Sequence, residues 1–212
     1  MRRLAAAVAL LVVVAGCASS GSGGEPIRAS ASPAIVGEDV LDAAGYRDGE
    51  PSTGHLNVTV SASIQGDVEL HASRAVRATT ARVVYRRGDA VFATYSVPAV
   101  TLLPQSARIV RNPAATLSTA ELVERAQPTY ADVSGLTESG TSTVSMLGNA
   151  TTLTAYAGTA TRGGESVDVT VLVATVRHDD AFVTAVAVSP ATAEERGRVE
   201  RLVGAVQAPG GA

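Results

Sequence analysis

The chain has 212 residues, of which 3% are aromatic and none is tryptophan, and its 17 basic residues, all arginine, stand against 20 acidic ones for a net charge of −3. That balance argues against a nucleic-acid partner, which needs a clustered cationic surface, and so few aromatic rings supply base-stacking and sugar-stacking platforms poorly. Cys17 is the one cysteine, so no disulfide and no zinc–thiolate site can form within the chain.

The first element reads as an export signal. Arg2 and Arg3 make a positive n-region, Leu4 to Ala15 an apolar h-region, and Val14-Ala15-Gly16-Cys17 places small residues ahead of the cysteine, as a lipoprotein processing site requires. The apolar run is too short for a mature membrane span, which takes about 20 residues to cross about 30 Å. Residues 1–16 are therefore expected to be a cleaved signal peptide and Cys17 the lipidated residue. An ordinary signal peptide followed by a coincidental cysteine is the alternative. Loss of Arg2 and Arg3 takes the basic count from 17 to 15 against 20 acidic residues, a net charge of −5. The absence of lysine fits a high-salt habitat and a GC-rich genome equally.

Residues 17–32 are small, polar and glycine-rich, with Ser19-Ser20-Gly21-Ser22-Gly23-Gly24 at their centre, which is the composition of a flexible tether. Val36 to Tyr46 reads as a short helix: Val36, Val40, Leu41 and Ala44 share a face, and Glu38, Asp39 and Asp42 point away. Asn57 to Ile64 alternates as a half-buried strand. Val68 to Tyr85 continues as β-structure, and Arg86-Arg87-Gly88-Asp89 turns the chain into Val91 to Val97. Pro98 to Pro113 is looser and is expected to cover one sheet edge.

Leu117 to Gln127 has a well-formed helix start. Ser118 and Glu121 have capping-box spacing, Leu117 and Leu122 stand where a hydrophobic staple closes, and Pro128 stops the helix. Thr141 to Leu147 and Thr151 to Ala160 flank the turn signal Gly148-Asn149. Arg162-Gly163-Gly164-Glu165 turns into Val167 to Val176, and His178-Asp179-Asp180 into Phe182 to Val188. The strand from Val167 is apolar on both sides, with Val167, Val169, Val171 and Val173 opposite Leu172, Ala174 and Val176, so it belongs in the sheet interior with layers above and below. Thr192 to Gln207 reads as a helix with Thr192 and Glu195 at capping-box spacing and a Val199, Leu202, Val203, Val206 stripe. The expected architecture is one α+β domain over residues 33–208: a mostly antiparallel sheet packed against a few helices and capped by the C-terminal one. Residues 209–212 are expected to be a disordered tail.

Four stretches carry a family resemblance: Asp42-Ala43-Ala44-Gly45-Tyr46, Ser118-Thr119-Ala120-Glu121-Leu122-Val123, Val144-Ser145-Met146-Leu147-Gly148-Asn149, and Gly163-Gly164-Glu165-Ser166-Val167-Asp168-Val169. In this order, behind a lipobox, they make the chain resemble the uncharacterised lipoproteins of halophilic archaea, a domain of unknown function. The C-terminal half also resembles the Mog1/PsbP-like α/β/α sandwich. Neither resemblance implies a catalytic residue.

Residue chemistry points the same way. His178-Asp179-Asp180 is the one close histidine–carboxylate cluster; it reads first as a polar turn between two apolar strands and only weakly as a metal or acid–base candidate. His55 and His71 read as surface imidazoles. The chain has no HExxH pair, glycine-rich phosphate loop or nucleophile elbow. Asn57-Val58-Thr59 and Asn149-Ala150-Thr151 are sequons, which makes Asn57 and Asn149 candidate N-glycosylation sites. The expectation is a lipoprotein anchored to the cell membrane through Cys17 and facing outward, without cofactor, catalytic residue or nucleic-acid partner. It would act as a non-enzymatic module for an envelope protein or a small ligand. The alternative is an envelope hydrolase with a dispersed site.

Overall fold

A computed structural model describes residues 25–47, 49–64, 70–102 and 108–208. The signal segment with Cys17, residues 18–24 of the tether and the 209–212 tail lie outside the described residues. In chain order the elements are β1 (Ile27–Ser30), β2 (Ile35–Val36), helix α1 (Glu38–Ala44), β3 (Ser52–Ile64), β4 (Leu70–Arg87), β5 (Ala90–Pro98), β6 (Val100–Leu102) and β7 (Ile109–Arg111). A 3-10 turn over Pro113–Thr116 follows, then α2 (Thr119–Ala126), β8 (Ala131–Met146), β9 (Asn149–Arg162), β10 (Glu165–His178), β11 (Ala181–Pro190), α3 (Arg196–Gly204) and β12 (Val206–Gln207).

Strands β3–β4–β5 make one antiparallel meander and β8–β9–β10–β11 a second; they join where β11 pairs with β5. β1 lies parallel to β4, so the sheet is mixed, with the order β1-β4-β5-β11-β10-β9-β8 and β3 on the free side of β4. Two-residue turns close the long hairpins: Arg87 pairs with Ala90, Met146 with Asn149, Arg162 with Glu165 and His178 with Ala181.

The fold is β-rich and not α+β, because 63% of the described residues are strand and 16% helical. The helices are shorter than their apolar stripes suggest. α3 stops at Gly204, and Val206 reaches the core from β12, paired with Val36 of β2. The strands are longer, β8 most of all, since it begins at Ala131 and not at Thr141. Its first half lacks alternation for a physical reason. It is an edge strand whose register with β9 slips between Ala131 and Ser134, Ser134 and Thr137, and Glu138 and Gly140. Each slip is a bulge that twists an edge away from further pairing.

Other expectations shift as well. Residues 27–30 are not free tether: Ile27 to Ser30 pair with Val76 to Thr79, and Ile27 packs against the core. The β8–β9 turn is Leu147-Gly148, one residue earlier than Gly148-Asn149, with Leu147 at φ 50°. The Pro98–Pro113 region covers a sheet face instead of an edge, since Val100 and Leu102 of β6 are buried in its core.

Two cores sandwich the sheet. On the first face, Leu41 and Ala44 of α1 and Val199, Leu202 and Val203 of α3 share a cluster with Tyr85, Phe92, Leu172 and Ala185. On the second, Val123 and Ala126 of α2, Ala114 and Leu102 join Val76, Val91, Val171 and Val186. β10 serves both, as a strand apolar on both sides must: Val169 and Val171 go to one core, Leu172, Ala174 and Val176 to the other. α2 carries the full capping box, with Ser118 Oγ accepting from the Glu121 amide and Glu121 Oε2 accepting from the Ser118 amide at 2.8 Å.

Leu202 is fully buried, so Leu202→Ala is expected to cost about 2–5 kcal/mol in denaturant melts. Gly158→Ala tests the bulged edge: a Cβ there would sit 2.7 Å from the Ser134 carbonyl oxygen and 2.8 Å from Leu136 Cδ2. It is expected to cost about 1–3 kcal/mol by overpacking, and a wild-type melt would show that β8 is free to move aside.

Candidate functional site

The strongest polar cluster is built around Glu195. α3 does not start from Thr192; its N-cap is Glu195 itself, with helical backbone angles and no side-chain cap bond. The carboxylate turns inward instead and is only 4% exposed. Its Oε2 accepts from the Tyr46 phenol at 3.0 Å, its Oε1 from Arg87 Nη1 at 2.7 Å, and Arg198 Nη1 lies 3.6 Å from Oε1. A carboxylate out of water needs such partners to remain charged.

Local structure places each partner. α1 ends in a Schellman motif, with the Gly45 amide donating to Asp42 and the Tyr46 amide to Leu41, and Gly45 at φ 73°. That reversal drops Tyr46 onto the first core, where it is 3% exposed. Arg87 is the last residue of β4 and runs beside Gly45, whose Cβ would stand 3.4 Å from its Nε. The cluster thus clasps the end of α1, the β4–β5 turn and the start of α3.

Two clefts flank the carboxylate. One, of about 500 Å³, is lined by Leu172, Ser189, Glu195, Arg196, Arg198 and Arg201; the other, of about 510 Å³, by Arg87, Asp89, Pro190, Thr192 and Glu195. Burial, and then the charge and hydrogen bond of Glu195, push the Tyr46 phenol well above its ordinary value of 10.0. The phenol is held as a donor, and both carboxylate oxygens are already engaged.

A second cluster closes the same end of the sheet. Gln127 Oε1 accepts from the Thr129 and Tyr130 amides, and the Tyr130 phenol donates to the Asp89 carbonyl at 2.6 Å. Arg162 pairs with the Asp89 carboxylate and lies 6.0 Å from the centre of the Tyr130 ring. Burial raises the Tyr130 pKa, opposed by Arg162 and assisted by Asp89.

The residues singled out in the sequence lie elsewhere. His178 ends β10, and Asp179-Asp180 form the turn, with Asp179 at φ 51°. The imidazole Nε2 is 3.5 Å from Asp179 Oδ2, whose side chain is 83% exposed. Asp180 contributes its carbonyl, which accepts from the Ala99 amide at 2.7 Å and docks the turn on the β5–β6 junction. Among the described residues no group of three His, Cys, Asp or Glu side chains is placed to hold a metal ion. Asn57 is exposed on β3 and Asn149 is exposed at the start of β9, so both sequon asparagines reach the surface. His55 and His71 lie on the exposed face of β3 and β4. The Glu195 cluster had no signal in the sequence, since its members stand 149 and 108 positions apart.

Together these features define a β-rich domain with helices on both faces of one large sheet and a buried ion-pair clasp at one end. The chain belongs to the family described as a domain of unknown function, DUF6517, whose model matches residues 33–207. No curated protein and no solved structure matches it.

The raised phenols set a pH dependence. A group whose pKa is raised on folding stabilises the folded state below its ordinary value and loses that contribution as pH rises through the folded one. Stability is therefore expected to fall above about pH 10, a window in which no lysine titrates and arginine stays charged. Tyr46→Phe is expected to cost about 1–3 kcal/mol at neutral pH, for a hydrogen bond to a charged group, and to flatten the alkaline loss. Melts across that range check both; an unchanged alkaline slope would show that Tyr46 titrates freely.

Proposed function

We propose that this protein is a lipid-anchored lipoprotein of the cell envelope, held to the outer side of the cell membrane through Cys17, whose domain binds an envelope protein or a small ligand without catalysing a reaction. The observation that carries the reading is Val14-Ala15-Gly16-Cys17 behind Arg2-Arg3 and an apolar run, in a chain with one cysteine. The resemblance to haloarchaeal lipoproteins supports the same assignment, while the likeness to the Mog1/PsbP-like sandwich adds nothing to it. The binding role draws support from the clefts beside Glu195, whose lining of arginines and carboxylates suits a polar partner. The hydrolase alternative relied on His178, Asp179 and Asp180, and no feature of that exposed turn favours it.

The test is membrane partition of the full chain after a high-salt wash. The wild-type protein is expected in the membrane fraction with a lipid-sized mass increase on Cys17, and Cys17→Ser in the soluble fraction or the medium. A Cys17→Ser chain that stays with the washed membranes would overturn the anchor.

A further inference from the structure

The exposed part of the first sheet face, beyond the helices, carries two rows of hydrogen-bond donors. β4 sets them: Arg77 pairs with Arg28 of β1 on one side and Asn57 of β3 on the other, and Thr79 pairs with Ser30 and His55. Neighbouring strands lie about 4.8 Å apart, so Asn57–Arg77–Arg28 and His55–Thr79–Ser30 form a compact grid. These six residues line one groove of about 450 Å³.

The grid is cationic without compensation. Arg28 and Arg77 make no hydrogen bond or ion pair among the described residues, and β1, β3 and β4 contain no Asp or Glu. Like charges directly opposite one another in a sheet destabilise it. An anion between the guanidinium groups relieves that repulsion, and the Asn57 amide, the two hydroxyls and the His55 imidazole are placed to complete its shell.

The chain's own path says where the anion comes from. Residues 18–26 separate Cys17 from β1, and nine residues reach at most about 30 Å. If Cys17 carries the lipid, β1 is the part of the fold nearest the membrane, at the millimolar effective concentration of a short linker. We infer that the Arg28–Arg77 face docks on anionic phospholipid headgroups of the membrane that anchors the protein, with the two guanidinium groups binding headgroup phosphate. This rests on the reading of Cys17 as the lipidated residue. Guanidinium–phosphate pairs form in bidentate geometry, but Arg28 and Arg77 are exposed, so a high-salt wash screens the contact and releases a chain held by docking alone. A glycan on Asn57 would occupy the same face, so a glycosylated chain would not dock.

Vesicle co-sedimentation tests the docking separately from the anchor. The probe is the full chain with Cys17→Ser, mixed with vesicles of phosphatidylglycerol and phosphatidylcholine or of phosphatidylcholine alone. Binding is expected to the anionic vesicles above the level set by phosphatidylcholine, and to fall about tenfold or more when Arg28→Gln and Arg77→Gln are added. The double variant is expected to melt no lower than its parent, because the pair it removes is unsatisfied; should it not fold, Arg77→Gln alone gives the same comparison. Equal binding to both vesicle types, or anionic binding untouched by the arginine changes, overturns the inference. Stabilisation by inorganic phosphate without vesicle binding also overturns it and assigns the groove to a free anion. Neither result bears on Cys17, whose lipid is read from washed membranes.

Discussion

Pairing of β5 with β11 holds the fold together. Every residue of β5, Ala90 to Pro98, is buried. Its side chains alternate between the cores, with Phe92 in one and Val91, Ala93, Tyr95 and Val97 in the other. Thr94 and Ser96 are also buried, and their hydroxyls bind the Ala34 backbone, carbonyl and amide respectively, which pins the segment leading from β1 to α1 across the first face. Neither meander could keep its hydrophobic faces covered alone, because the helices that cover them span the seam. α1 and α3 close the first face using residues from both meanders, and α2 with the 3-10 turn does the same on the second. The two halves therefore share their cores and are expected to unfold as one unit.

What could be read from the sequence was local. The capping box of α2 is decided by residues three positions apart and formed as its spacing indicated. β10 announced its interior position by being apolar on both sides, and the Gly163-Gly164 turn by two glycines at φ 60° and 88°. Where tertiary pairing competes with a local signal, the local reading fails. Val206 continues the helical stripe of α3, yet the chain leaves the helix to pair with β2. Glu195 has the spacing of a capping residue, but a buried bond to Arg87 and Tyr46 outcompetes the helix end for its carboxylate. The first half of β8 is invisible because its bulges remove the alternation by which strands are recognised. Local pattern thus overstates the helices and hides part of the strands of a β-rich fold.

Charge shows the same gap between average and place. The net charge is acidic, but the charges are unevenly placed: β1 and β4 hold arginines and, like β3, no carboxylate, while α1 carries Glu38, Asp39 and Asp42. A sum over the surface cannot reveal this. Adjacency of Arg28 and Arg77 follows from strand register alone, across 49 positions of sequence.

The parallel pairing of β1 has a mechanical consequence. A pull on the chain ahead of Ile27 runs along the strand axis, so it loads the four β1–β4 residue pairs and the Ala31–Thr79 hydrogen bond in shear. Bonds in shear share the load and yield together, whereas those of a peeled hairpin break one at a time. Tension from the N-terminal side is thereby carried into β4, the longest strand of the sheet, before it can reach α1.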